Sequence, residues 1–154
     1  MALKVIISGG GTGGHIYPGI SLAYEIKGKD INNDILFVGT ERGLESKLVP
    51  REGFEIIKIK ARGIKRKICF ENLTAIVIFL VSLFQSYKII KRYKPDIVIG
   101  TGGYVSGSVV LMAAILGFPP FFRISYIVYS ISFLKPLFTF IFSIYDIRYT
   151  FYIF

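Results

Sequence analysis

Two rhythms of hydrophobic and polar positions alternate along the first 120 residues. Lys4 to Ser8 is a short apolar run that predicts a buried strand; a glycine-rich loop follows, then an amphipathic stretch from Ile16 to Lys27. "DILFVG" (34–39) predicts a second strand, "ERGLESKLV" a short helix, and "FEIIKIK" (54–60) a third strand with partial alternation. Asn72 to Tyr93 carries a helical pattern ending among Lys91, Arg92 and Lys94, cations that suit a helix C-terminus, and Pro95 stops it. "DIVIG" (96–100) predicts a fourth strand, and "SGSVVLMAAILG" (106–117) a helix closed by Gly117 and proline. Strand and helix alternating four times predict an α/β, Rossmann-like domain: an open parallel sheet with helices on both faces.

The pattern changes near Pro119–Pro120, which divides the chain into a domain over 1–120 and a tail over 121–154. All 16 glycines precede the break. The tail has no glycine, alanine, glutamate or asparagine, and 13 of its 34 residues are Phe or Tyr. Turns need residues such as Gly, Asn or Asp, so a compact continuation of the same fold is hard to write with it. Three readings stand. A membrane-associating segment is one, although Lys135–Pro136 interrupts the apolar run short of the roughly 20 residues a span wants. A set of aromatic strands is another, and these would be aggregation-prone when unpaired. The third is the product of a frameshift or truncation, since Ile, Phe, Tyr and Ser with few acids is what an AT-rich gene yields out of frame.

Composition narrows the partners. The 19 basic against 10 acidic residues give a net charge of +9, which favours an anionic partner. One cysteine, Cys69, excludes an internal disulfide framework, and with a single histidine no metal site is expected. The N-terminal run Met1 to Ile7 leads into glycines without a cleavage pattern, so a cytoplasmic location is expected.

"SGGGTGGHIYPG" (8–19) sits where a parallel sheet binds ligands, between a strand's carboxyl end and the next helix. Glycines let a backbone approach a ligand closely, and the free N–H groups of the helix start favour phosphate or diphosphate. On this view Gly9 to Gly14 act as backbone donors and Pro18 belongs to the first helical turn. Gly9, Gly11 and Gly14 also fit the dinucleotide fingerprint, with Glu41 as a candidate acid after the second strand. A tight strand–helix turn without a ligand is the plain alternative. A second glycine loop, "GTGGYVSGS" (100–108), follows the fourth strand in the equivalent position, which suggests one large anionic ligand or two ligands meeting. His15 stands at the helix start beside any bound phosphate. It is either a general base for an attacking hydroxyl or a residue that only caps the loop.

Six basic residues, among them Lys65, Arg66 and Lys67, precede an uncharged run from Asn72 to Tyr87. That run is apolar around most of its circumference but shorter than the roughly 20 residues needed to span a bilayer. Basic residues beside exposed apolar helix surface suit an anionic membrane; a doubly buried helix with a solvated basic loop is the alternative. Nucleic acid is not expected, because aromatics are not interleaved with the basic residues.

"GGTGGHIYPG" (10–19), "VGTERGLESKLVP" (38–50) and "KPDIVIGTGGYVSG" (94–107) together resemble the N-terminal half of MurG-type enzymes, over about residues 3–120. These are N-acetylglucosaminyltransferases of peptidoglycan synthesis that convert lipid I to lipid II. The resemblance implies a two-domain GT-B architecture and an inverting transfer from UDP-GlcNAc, with no cofactor. The acceptor it implies is undecaprenyl-diphosphate-linked, at the cytoplasmic face of the bacterial cell membrane. It assigns His15 as catalytic base and Thr12, Gly13 and Gly14 to the donor-facing side of the cleft. Gly10, Gly11, Gly102, Gly103, Tyr104, Ser106 and Gly107 complete the substrate-binding set. Lys65, Arg66, Lys67, Ile76, Phe79, Leu80 and Leu83 form the peripheral membrane-docking surface. Two departures stand out: Ser108 occupies a position where the family usually has proline, and no His-Glu-Gln-Asn motif follows Gly117-Phe118-Pro119. The chain on its own is therefore expected to be inactive. The alternatives are a membrane-bound half-enzyme pairing with a separate donor-binding chain, and a non-enzymatic diphosphate-binding module.

Overall fold

The computed structural model describes residues 2–62 and 71–122. The basic candidates Lys65, Arg66 and Lys67 and nearly all of the expected 121–154 tail lie outside the described residues. Strands β1 (Lys4–Gly9), β2 (Asp34–Thr40), β3 (Glu55–Ile59), β4 (Ile97–Gly102) and β5 (Pro120–Phe122) alternate with helices α1 (Gly13–Lys29), α2 (Glu45–Arg51), α3 (Glu71–Tyr93) and α4 (Tyr104–Ile115). All strand pairs are parallel, in the order β3-β2-β1-β4-β5. This is the α/β architecture the alternation predicts, with a fifth strand that it does not. Pro120 is the first residue of that strand, the outermost among the described residues, a position where a missing N–H is tolerated.

The two central strands are buried on both faces, which is why they read as continuous apolar runs. Val5, Ile7, Ile35 and Phe37 face α1 and α2, packing with Ile16, Ile20, Ala23 and Val49. Their neighbours Ile6, Leu36 and Val38 face the other way, with Ile90 of α3 and Val105, Val109 and Ala113 of α4. Helices thus cover both faces.

Two boundaries differ from the sequence expectation. Helix α1 begins at Gly13, so Pro18 lies inside it and not in its first turn. The apolar period starts only at Ile16, and glycines carry no side-chain signal, so the first turn is invisible in the pattern. Within the helix, Pro18 has no N–H to offer the carbonyl of Gly14. Helix α3 outruns its uncharged stretch, and its residues Thr74–Tyr93 are long and apolar enough to cross a membrane by length and composition.

Helix α3 is packed the unusual way round. Its inward residues include Ala75, Ser82, Ser86 and Ile90, while Ile76, Val77, Leu80 and Phe84 are each more than half exposed. Ser82 meets Ser108 of α4 hydroxyl to hydroxyl at 2.5 Å, and Ser108 also bonds the carbonyl of Val105 at 3.0 Å. The serine that stands in place of the family's usual proline thus serves the helix–helix contact.

Candidate functional site

The strand order reverses between β1 and β4, and the helices that follow these strands pack on opposite faces of the sheet. A crevice therefore opens at their carboxyl ends, the place where open parallel sheets take ligands. Both glycine loops border it. The register of β1 on β4 slips between Ser8 and Gly9, so that Gly9 lies opposite Gly102. Just beyond, the N–H of Gly10 donates to the carbonyl of Gly102 at 3.2 Å. The loops approach so closely that a Cβ on Gly103, where φ is +86°, would lie 2.3 Å from the Gly10 carbonyl oxygen.

His15, third residue of α1, lies half-buried across this junction. Its ring packs on the Cα of Gly102 by the Cγ–Nδ1–Cε1 edge, so any side chain there would collide with the imidazole. Nε2 is left on the ring's other edge. Thr12 takes extended backbone angles as the N-cap and its hydroxyl makes no capping bond. Among the described residues the N–H groups of Thr12, Gly13 and Gly14 have no backbone acceptor, as expected for a helix start. These three N–H groups lie at the positive end of the α1 dipole, an arrangement that favours an anion in front of the loop.

Two members of the expected donor run are engaged elsewhere. Gly10 bonds to Gly102, and Gly11 donates to the Oε2 atom of Glu45 at 3.0 Å. Of the second loop, Tyr104 is largely exposed at the start of α4. Ser106 is fully buried and its hydroxyl donates to the Gly103 carbonyl at 3.0 Å, so it shapes the loop from within. Gly107 lies inside α4 with open space at its Cα. Glu41 is exposed just after β2.

Glu45 is the residue that the sequence reading missed. It opens α2, is 1% exposed, and accepts on Oε1 from the Thr40 N–H at 2.8 Å and the Thr40 hydroxyl at 2.6 Å. Burial by itself would raise its carboxyl pKa. The hydrogen bonds from Thr40, Gly11 and its own N–H outweigh that and hold it below the usual glutamate value. A depressed native pKa contributes stability that is fully present above 4.5 and is lost as pH falls through the lowered native value. The melting temperature of the parent chain should therefore fall more steeply below pH 4.5 than that of a Glu45→Gln variant. Parallel pH profiles of melting would show Glu45 to be no contributor.

Beside the loops lies a cavity of about 800 Å³, walled by Gly10, Gly11, Tyr104, Thr40 and Ile78 and by one carboxylate, Glu41, against three cations, Arg42, Lys60 and Arg62. The cations follow the carboxyl ends of β2 and β3, so their placement was readable from "TER" and "IKAR" once those strands were assigned. Among the described residues, no group of three or more His, Cys, Asp or Glu side chains could hold a metal ion. The expected docking residues Ile76, Phe79 and Leu80 are exposed on α3, and Leu83 is half-buried.

Residues 5–124 match the glycosyltransferase family 28 N-terminal domain. Curated relatives named UDP-N-acetylglucosamine–N-acetylmuramyl-(pentapeptide) pyrophosphoryl-undecaprenol N-acetylglucosamine transferase, from Ruminiclostridium cellulolyticum and Acetivibrio thermocellus, are each 56% identical over 117 residues. The match covers 76% of this chain and 32% of each relative, so the chain spans about a third of their length. The crystal structure of Acinetobacter baumannii MurG superposes with a TM-score of 0.66 at 28% identity, over 79% of this chain and 34% of that one.

Proposed function

The chain belongs to glycosyltransferase family 28 through its N-terminal domain, and from that premise we propose that it forms the acceptor- and membrane-facing half of a GT-B N-acetylglucosaminyltransferase. The reaction is transfer of GlcNAc from UDP-GlcNAc to an undecaprenyl-diphosphate-linked acceptor, lipid I, giving lipid II. The observation that carries the proposal is the pair of glycine loops joined at the sheet's switch point with His15 across the junction. In this reading the free N–H groups at the start of α1 and the cations Arg42, Lys60 and Arg62 meet phosphate groups. His15 accepts the proton of the acceptor's sugar hydroxyl while that oxygen bonds to the anomeric carbon of GlcNAc. The bond from that carbon to UDP breaks on the opposite side, which inverts the configuration. The outward apolar face of α3, with Lys88 over the Phe84 ring at 4.5 Å, suits a peripheral site on an anionic membrane.

The 154-residue chain alone is expected to transfer no GlcNAc, because donor and acceptor must be held against one another. Turnover of lipid I by the purified chain without added protein would overturn this. Joined to the remaining two-thirds of the R. cellulolyticum relative, residues 1–122 should give transfer. There, His15→Ala should lower kcat by about 10²–10⁴, the usual weight of a general base. A variant within twofold of the parent would remove His15 from the chemistry.

A further inference from the structure

We infer that Glu45 is the positioning residue of the first glycine loop, holding Gly11 so that the N–H groups of Thr12, Gly13 and Gly14 are the ones offered to a ligand. The inference rests on the reading that this loop takes a diphosphate group. Its basis is the seat of the carboxylate. Gly10 from the first loop, Gly39 at the end of β2 and Gly43 before α2 all close on the Glu45 side chain. A Cβ at any of them would come within 2.5 Å of one of its atoms. Both carboxylate oxygens are engaged, Oε1 by Thr40 and Oε2 by Gly11, and every one of these partners is a donor. Gly11 holds φ at +88°, the turn that sends the chain from β1 into α1. The loop is thus held at two successive residues, Gly10 by β4 and Gly11 by Glu45.

Charge alone argues against a carboxylate in this place, since it repels an anion bound in front of the loop. That opposition separates the possible roles. If Glu45 acted only through its field, removing the charge would strengthen anion binding. If it sets the loop, removing it weakens binding. Glutamine keeps the shape but cannot accept on both ends: in either orientation its NH2 faces an N–H donor, from Thr40 or from Gly11.

The test uses the isotope-labelled 154-residue chain with inorganic pyrophosphate as the probe, followed by amide NMR. In the parent chain, pyrophosphate should shift the amides of Thr12, Gly13 and Gly14. Glu45→Gln should displace the Gly11 amide resonance before any ligand is added and weaken pyrophosphate binding about tenfold, as loss of one charge-assisted bond implies. Unchanged or tighter binding by the variant would overturn the inference. If the parent chain fails to respond to pyrophosphate, the diphosphate reading falls by itself. The positioning role is then decided by the ligand-free spectra, and unmoved Gly10 to Gly14 amides in the variant would overturn it. Should Glu45→Gln not fold, Thr40→Val keeps the charge and removes one donor. It should move the Gly11 amide and weaken binding about threefold, and no change in either would again overturn the inference.

Discussion

Gly103→Ala is expected to lower the melting temperature of the chain by about 12 °C, corresponding to roughly 3 kcal/mol at about 4 °C per kcal/mol for a domain of this size. The two causes act together. At φ +86° any Cβ is strained, and this one would point at the Gly10 carbonyl oxygen 2.3 Å away. Relief requires the loops to separate, which breaks the Gly10–Gly102 hydrogen bond and displaces His15 from its seat on Gly102. Gly107→Ala is the control: it lies inside α4 with nothing within 4 Å of the added methyl. Helix propensity should make it stabilising by about 0.5–1 kcal/mol. Thermal melts of the two variants side by side decide the matter. A Gly103→Ala chain melting within about 2 °C of the parent would mean the loops are not in contact.

The double variant Leu80→Glu/Phe84→Glu is expected to weaken binding to vesicles of anionic phospholipid by about a hundredfold or more. Withdrawing an apolar side chain from a non-aqueous contact loses about 1.5–3 kcal/mol, and two such losses compound. Both side chains are more than half exposed, so unfolding free energy should stay within about 0.5 kcal/mol of the parent. Vesicle flotation combined with denaturant melting separates the effects. Unaltered partitioning by the folded variant would remove this face of α3 from any membrane contact.

The fold was largely legible because each central strand is buried on both faces and each helix is punctuated by proline, glycine or a cluster of cations. What escaped had physical reasons. β5, as described, is three residues long and begins with proline, which in a sequence marks an interruption and here marks the start of a strand. The start of α1 is written in glycines, whose missing side chains carry no period. Glu45 sits in "ERGLESK" among charged neighbours and looks like one more solvated helix residue. Its burial is created by glycines that come from two strand ends, a juxtaposition no local window contains. For α3 the sequence showed apolar residues around most of the circumference. It did not show that serine and alanine would face inward, because that depends on the serine of α4 opposite.

The bond from Gly10 to Gly102 also bears on when the site comes into being. The first loop is made early in synthesis, but its partner belongs to the fourth strand, far along the chain, and closing so long a segment precedes any reward from the contact. Until β4 docks beside β1, His15 has no seat and Gly10 no acceptor. The junction of the loops is therefore expected to form late in folding, and a nascent chain carries the whole first motif before the two loops can meet. A ligand that needs both loops stabilises only the chain that has completed this step.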